Sequence, residues 1–162
     1  EIKDTKSGPW SKYINEIKTV TIKDGVTDIA TGAFKGGKSL TKVSIPASVT
    51  KIGSNAFAEC TALAGFDISN DSVAFTTVNG VLFDYDKKEL VCYPAGKSDT
   101  DYVVPENVLV VSDYAFAYCV KLNSVTISST VEFIGVSPFS NCTALTAVNV
   151  NANNKTYKSI GY

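Results

Sequence analysis

The chain has 162 residues, of which 44% are hydrophobic and 19% are charged, and its formal net charge is −1. It contains no His, no Met and no Arg, so all 15 of its basic residues are Lys. Without a guanidinium group or a basic excess, the chain lacks the surface that binds nucleic acid, and no apolar run reaches the roughly 20 residues of a membrane helix.

Residues 1–16 precede the first repeat, and we predict that they form an N-terminal cap segment. Within it, Trp10 follows Gly8-Pro9, and we expect its ring to pack over the open end of the first coil, because terminal repeats need a cover. The chain opens at Glu1 rather than Met, and we expect that a signal peptide, where one existed, does not survive at its start. We interpret it as a processed or trimmed form.

A sequence motif then recurs every 23 residues, for example from Ile17 to Leu40 and from Leu40 to Leu63. Self-similarity at a period of 20 to 50 residues is typical of a solenoid, in which each unit buries its apolar face only against its neighbours. We place about six coils in residues 17–162, at 17–39, 40–62, 63–98, 99–121, 122–144 and 145–162, the last one truncated.

Each coil is predicted to begin with a front strand. In residues 40–46, β-branched side chains alternate with polar ones, so Val43 and Ile45 are expected to face inward. Pro46 then ends the strand, because proline has no N–H to give to the ladder. Since the coils stack, the front strands are predicted to form one parallel sheet.

The remainder of each coil is predicted to turn back behind that sheet. Val49-x-x-Ile52 indicates a second short strand or bridge, turned by Gly53. Ser54-Asn55-Ala56-Phe57 then predicts about one helical turn that carries Phe57 into the core, with Ser as its cap. The predicted fold is an α/β solenoid with a parallel front sheet and short helical turns at the back.

The third coil contains an insertion. Residues 63–121 cover two coils with 59 residues, where two plain coils would take 46, so 13 residues are extra. The excess falls in 81–94, where two apolar runs flank the charged turn Asp86-Lys87-Lys88. This pattern predicts a β-hairpin or an irregular pair of ladder strands, and both stay open. Tyr85 is a candidate partner contact there, whereas Tyr93 is expected in the core.

A longer internal repeat relates the middle of the chain to its end. Cys-Thr-Ala-Leu at 60–63 returns at 142–145, and Phe75-x-x-Val78 corresponds to Tyr157-x-x-Ile160. The chain thus stops where a second insertion would begin. We therefore expect the native protein to continue beyond residue 162.

The pattern Leu-x-x-Val-x-Ile-Pro-x-x-Val-x-x-Ile-Gly-x-x-Ala-Phe-x-x-Cys, with the Gly80-Val-Leu-Phe83 insertion and a preceding Gly8-Pro9-Trp10, resembles the BspA-like leucine-rich repeat proteins over about residues 8–162. The resemblance implies a right-handed leucine-rich-repeat superhelix, a secreted or surface-displayed bacterial protein, and adhesion to host proteins. It brings no catalytic, cofactor or ligand residues. Gly37 in place of Cys, Ser128 in place of Pro and Pro138 in place of Ala are small departures.

Cys60, Cys119 and Cys142 occupy one repeat position at the end of the back turn. We predict that they are buried small hydrophobic residues whose S–H groups donate to loop carbonyls. A disulfide between Cys119 and Cys142 in adjacent coils is the alternative, although parallel Cβ directions disfavour its dihedral angle. Cys92 lies in the insertion without an obvious partner. No zinc site or other metal site is predicted, because His and Cys-x-x-Cys pairs are absent.

Catalysis has little support in the sequence. Acid–base work at neutral pH most often uses His, and a Cys nucleophile would lack its usual base. Paired carboxylates could hydrolyse sugars, and Asp67 and Asp101 both point outward from front strands, one or two coils apart. Solvated polar residues on a flat exposed face are the preferred interpretation. We therefore predict that the chain is not an enzyme and has no cofactor.

The outer side of the front strands is the predicted place for a partner, since solenoids present extended binding surfaces. We predict a protein partner, a host extracellular or surface protein; the oligomeric state stays open. The alternative is a passive spacer or carbohydrate-binding unit of a larger secreted protein. The predicted contact residues, called the front face below, are Thr19, Thr21, Lys42, Ser44, Asp67, Asp101, Ser124, Thr126 and Asn149.

Overall fold

The computed structural model describes residues 8–159 and winds them into a β-solenoid of about six turns. Each regular coil contributes a front strand and a shorter second strand. The front strands are β1 (Thr19–Thr21), β3 (Lys42–Ile45), β5 (Gly65–Ile68), β9 (Asp101–Val103), β11 (Ser124–Ile127) and β13 (Ala147–Val150). The second strands are β2 (Asp28–Ile29), β4 (Lys51–Ile52), β8 (Glu89–Cys92), β10 (Val110–Val111) and β12 (Phe133–Ile134).

The front strands pair in parallel, with equivalent residues of successive coils side by side, as for Val20, Val43 and Phe66. Val43 and Ile45 are buried, as their alternation with polar residues predicts. The prediction of one continuous front sheet is wrong, because the strands form two three-stranded sheets, β1-β3-β5 and β9-β11-β13. The insertion lies between them.

The insertion is an antiparallel meander of β6 (Phe75–Val78), β7 (Val81–Asp84) and β8. The predicted hairpin is confirmed, since β7 pairs antiparallel with β8, while β8 also pairs in parallel with β10 as a ladder strand. The sequence analysis missed β6 and its tight turn at Asn79-Gly80, where both residues have positive φ, 50° and 80°. Asn-Gly is the pair that favours such hairpin turns.

The turn at Asn79-Gly80 lies against the front of the third coil. A Cβ built on Gly65 would come within 3.3 Å of Gly80 Cα. The hairpin tip thus packs against the start of β5, the last strand of the first front sheet.

The predicted helical back turns are wrong, and with them the α/β assignment. Among residues 8–159 the one helical element is a 3-10 helix at Ser11–Tyr13, ahead of the first strand. No helix in this range is long and apolar enough to cross a membrane. The back of each regular coil is instead a run of hydrogen-bonded turns. The handedness of the winding stays a prediction.

Two features prevent a helix at the back. In the second coil, Asn55 and Glu59 have φ of 60° and 64°, a left-handed conformation that breaks a right-handed helix. In addition, alternate N–H groups bond to the neighbouring coil rather than to their own turn: Phe34 N–H donates to Ala56 O at 2.8 Å, and Gly36 N–H to Ala58 O at 2.9 Å. The back wall is therefore held together between coils, as a sheet is.

The apolar residues form two cores rather than one. One cluster spans the first coils, from Ile22 to Phe75, and the other contains the later coils. Alternate side chains of a strand point to opposite faces, so β7 serves both: Leu82 belongs to the first cluster, and Val81 and Phe83 to the second. Strand β8 also contacts both, with Val91 and Cys92 against the first cluster and Leu90 in the second, so the strands of the insertion join the two halves.

Aromatic rings stack from coil to coil within each half. Trp10 stacks on Phe34 at 5.7 Å between ring centroids, and Phe34 stacks on Phe57 at 5.7 Å. Trp10 Nε1 also donates to Ala33 O at 3.0 Å, so the expected packing of Trp10 on the first coil is confirmed. Residues 1–7 of the predicted cap segment lie outside the described residues.

Candidate binding surfaces

The structure places the front-face residues in two rows that cross the front strands. Thr19 pairs beside Lys42 and Thr21 beside Ser44, and Asp101 pairs beside Ser124. Because the front ladder is split, the rows are brought together only within each half. In the first half, Asp67 on β5 is the last residue of its row. Thr126 and Asn149 lie side by side in a row of the second half. The front face therefore consists of two separate surfaces, one in each half.

Polar side chains on the outside hydrogen-bond from coil to coil, one repeat apart. Ser124 Oγ donates to Asp101 Oδ1 at 2.6 Å, and Lys42 Nζ lies 3.2 Å from Asp67 Oδ2. Thr41 Oγ1 likewise donates to Lys18 O at 2.9 Å. These bonds hold neighbouring coils in register, so several predicted contact residues already have partners within the chain.

Asp67 and Asp101 do not lie in one ladder. They lie on β5 and β9, which belong to different sheets. Hydrogen bonds from Ser124 and then Thr100 hold the pKa of Asp101 below its ordinary value. A carboxylate with a lowered pKa is a poor proton donor at neutral pH.

Tyr85 and Val103 are large apolar side chains that the structure leaves exposed. Tyr85 follows β7 at the turn of the insertion and is 55% exposed, which fits the predicted contact without testing it. Val103 projects from β9 and is 65% exposed. Tyr93, in contrast, is 2% exposed, so its expected place in the core is confirmed.

The four cysteines are free thiols, and the predicted buried role of the repeat position is confirmed for Cys60 and Cys119, whereas Cys142 is only partly buried. Cys60 Sγ donates to Phe34 O at 3.2 Å, and Cys142 Sγ to Phe116 O at 3.0 Å. Burial raises the pKa of the Cys60 thiol to about 12. A thiol that stays protonated at neutral pH is a poor nucleophile.

The thiols of Cys119 and Cys142 lie in adjacent coils and influence each other's ionisation, so their pKa values move apart. The thiol of Cys119 has a raised pKa and that of Cys142 a lowered one. The disulfide considered as an alternative is absent from the structure. Within residues 8–159, no group of three His, Cys, Asp or Glu side chains could hold a metal ion.

A groove of about 810 Å³ opens where the insertion separates the second and third coils. One wall is β4 and the turns after it, and the other is β8 with β10. Phe57, Leu63 and Cys92 contribute apolar surface to its lining. We call this the insertion groove; sequence reasoning did not predict it.

Charged side chains of one sign dominate the insertion groove. Its lining contains four carboxylates and one basic residue, Lys51; the carboxylates are Asp28, Asp84, Glu89 and Asp113. Each accepts a hydrogen bond or pairs with a cation: Glu89 Oε1 accepts from Ser112 Oγ at 2.5 Å, and Asp28 lies 4.0 Å from Lys51 Nζ. Within one groove, the excess of carboxylates creates a negative potential.

Apolar side chains extend the same groove outward along the second strands. Val91 and Val110 are partly buried on its wall, and Phe133 of β12 is 57% exposed at its margin. Apolar and acidic side chains thus line the same groove. Two features of the sequence could have indicated this groove: the insertion, and the outward-facing positions of β8, β10 and β12.

The stacked parallel coils, the aromatic columns and the outward polar rows define a leucine-rich-repeat solenoid. The family model for the BspA type leucine rich repeat region matches the chain in six copies, over residues 11–89 and 92–161. The chain therefore belongs to the BspA-type leucine-rich repeat family, as its repeat pattern predicts.

Two solved structures illustrate the likeness. A leucine rich cell surface protein from Faecalibacterium prausnitzii is 31% identical, with a TM-score of 0.64, over 82% of this chain and 41% of that chain. The pneumococcal vaccine antigen PcpA is 25% identical, with a TM-score of 0.69, over 82% of this chain and 39% of that one. The chain thus spans about 40% of their length. A search of the curated proteins gives no match.

Proposed function

We propose that the chain is a non-enzymatic protein-binding module of a secreted or cell-surface bacterial protein. The observation that carries the proposal is its 31% identity to a bacterial cell-surface leucine-rich protein across 82% of the chain. The partner is a host extracellular or surface protein. The fold supports this role because most of its large apolar side chains pack inside two cores. The polar side chains on the rigid outer surface then remain available to contact a partner.

The absence of catalysis in this proposal is supported by the chemistry of the candidate groups. Asp101 has a lowered pKa, Cys60 a raised one, and Asp67 is paired with Lys42. Neither Asp101 nor Cys60 is therefore poised to exchange a proton or attack a substrate near neutral pH.

The front face, together with Tyr85, is the proposed contact surface. The test is binding of the folded chain to an immobilised panel of host extracellular-matrix proteins. Thr21→Arg combined with Thr126→Arg fills both halves of the front face with bulky side chains, and should reduce binding about tenfold, the loss of one or two contact residues. Lys38→Ser, an exposed change away from the front face, is the matched control.

A passive spacer is the second candidate, and one observation favours it. Outward hydroxyl groups such as those of Thr41 and Ser124 already bond to the adjacent coil, which serves stability rather than recognition. No binding to any panel protein by a chain with native circular dichroism would support the spacer and contradict the module.

A further inference from the structure

The second strands have a vacant position beside β4. In regular coils, the carbonyl at the end of the second strand accepts a hydrogen bond from the next coil. Ile29 O accepts from Gly53 N–H at 2.8 Å, and Val111 O accepts from Gly135 N–H at 2.8 Å. The equivalent carbonyl of Ile52 has no such partner among residues 8–159, because β4 pairs only with β2.

The back turn that follows β4 has unpaired donors as well. In the fourth coil, Phe116 N–H donates to Pro138 O of the next coil at 2.9 Å. The equivalent N–H of Phe57 has no acceptor within the described part of the chain. The N–H groups of Asn55 and Glu59, two residues to either side, lack one too. This is an internal coil, with further coils on both sides.

The insertion explains why these groups are unpaired. The third coil passes from Leu90, which pairs with Val111, to Tyr93, which bonds to the fourth coil, in three residues. The first coil takes five residues for the same path, from Ile29 to Phe34. The third coil therefore lacks the turn whose carbonyls would face the N–H groups of the second.

The unpaired groups line a space that can be filled. The insertion groove is bordered by residues of this coil, namely Thr50, Ile52, Asn55 and Phe57. Phe57 is only 5% exposed. Backbone donors and acceptors on buried residues are costly when they stay unpaired, and nearly all are paired in native proteins. A segment that offers its own backbone N–H and C=O groups would remove that cost, as in strand addition to a sheet edge.

The charges of the groove select the kind of segment. Four carboxylates and a single Lys face it, so an acidic segment would be repelled and a basic one attracted. The apolar surface of Val91 and Phe133 gives the intervening side chains a place to pack. An extended strand meets both demands, because its side chains alternate between two faces.

We propose that the insertion groove binds an extended peptide segment of a partner protein, with Lys or Arg at alternate positions, which adds as a strand alongside β4. The proposal concerns a surface other than the front face and goes beyond the proposed function. Its partner is defined by chemistry: backbone groups for Asn55, Phe57 and Ile52, cations for the carboxylates, and small apolar side chains between them.

The probe is an acetylated and amidated Lys-Val-Lys-Val-Lys-Val peptide, titrated into the isotope-labelled chain near neutral pH. The amide signals of Asn55, Phe57 and Glu59 should move, and their hydrogen exchange should slow about tenfold or more once they are bonded. The matched Glu-Val-Glu-Val-Glu-Val peptide should bind at least about tenfold more weakly.

Two variants separate the charge contribution from folding. Asp28→Asn combined with Asp113→Asn keeps side chains that accept hydrogen bonds but removes two charges, and should weaken binding of the basic peptide about fivefold, with a smaller salt dependence. Asp67→Asn removes a carboxylate of the front face, and should leave binding of the basic peptide within about twofold. Circular dichroism of each variant checks that the fold is retained.

Three results would overturn the proposal. The first is equal binding of the acidic and basic peptides, and the second is binding that leaves the amide of Phe57 unshifted. The third is slow exchange of this amide before any peptide is added, together with a dimer by sedimentation, which would assign the groove to a second copy. Binding to the matrix-protein panel is scored separately on the front-face variants, so failure of either proposal is distinguishable.

Discussion

Replacing Gly53 with Ala tests how closely successive coils approach each other. A Cβ at this position would lie 2.3 Å from the backbone N of Thr31 and 2.7 Å from its Cα. Both atoms belong to the backbone of the preceding coil, so no side-chain rotation can relieve the overlap. The repeat has a glycine here because another coil lies directly against it.

The expected cost follows from the distances. Ordinary van der Waals contact of a Cβ begins near 3.4 Å, so the two coils must separate by about 1 Å. That movement strains the bonds from Gly53 N–H to Ile29 O, 2.8 Å, and from Gly32 N–H to Ser54 O, 3.1 Å. Overpacking costs about 1–3 kcal/mol and each lost hydrogen bond about 1 kcal/mol, or about 3–5 kcal/mol together. For a chain of this size, Tm should fall by about 6–20 °C.

Thermal unfolding by circular dichroism measures this change, and Trp10 fluorescence in urea follows the first coils independently. Ala30→Ser is the matched control, since Ala30 holds the same repeat position in the first coil, where a Cβ is already present, and Ser112 holds it in the fourth. Its effect should stay within about 0.5 kcal/mol. A Tm for Gly53→Ala within about 2 °C of the native chain would refute the reasoning.

Three further outcomes are expected. Trp10→Ala removes a stacked ring and a hydrogen bond to the first coil, and should lower the free energy of unfolding in urea by about 3 kcal/mol. Trp10→Phe keeps an aromatic ring and should recover part of this stability. Equal losses in the two variants would contradict the role of Trp10 as a cap. The Cys60 thiol ionises at an ordinary 9.0 when unfolded but at about 12 when folded, so its contribution to stability is present below pH 9 and is lost as the pH rises towards 12. Cys60→Ala should flatten that fall, and at pH 8 iodoacetamide should label Cys142, which has a lowered pKa, before Cys60, as read by mass spectrometry. Ser124→Ala should raise the pKa of Asp101 in an NMR titration, and an unchanged pKa would contradict the hydrogen bond as its main cause.

The coil architecture was predictable because the repeat encodes it directly. Alternation in residues 40–46 placed Val43 and Ile45 in the core, and the register of Cys60 with Cys142 gave their shared role. Such positions obey rules of period and burial that need no knowledge of distant contacts.

The back turns were not predictable from the same rules. Ser54-Asn55 has the composition of a helix cap, but Asn55 and Glu59 have positive φ, and the carbonyls of Ser54, Ala56 and Ala58 accept hydrogen bonds from the adjacent coil. A Glu or a Tyr is not a residue from which left-handed backbone is expected, as Tyr114 and Tyr118 also show. Tertiary bonding between coils overrides the local preference here.

The insertion groove depends on what is missing from a coil. Asn79-Gly80 does signal a hairpin, and reading it would have located β6. The lost pairing of Phe57 and Ile52, however, follows from a third coil that is two residues shorter between Leu90 and Tyr93 than its neighbours. Only the pairing of the folded chain reveals that difference.

The strand β7 contributes Leu82 to one cluster of apolar residues and Phe83 to the other. Each half of the stack therefore has its own source of cooperativity, and the two meet at the strands of the insertion. Amide protons in the first half can exchange with solvent through openings that leave the second half folded. Such an arrangement lets one half unravel and re-form while the other keeps its shape.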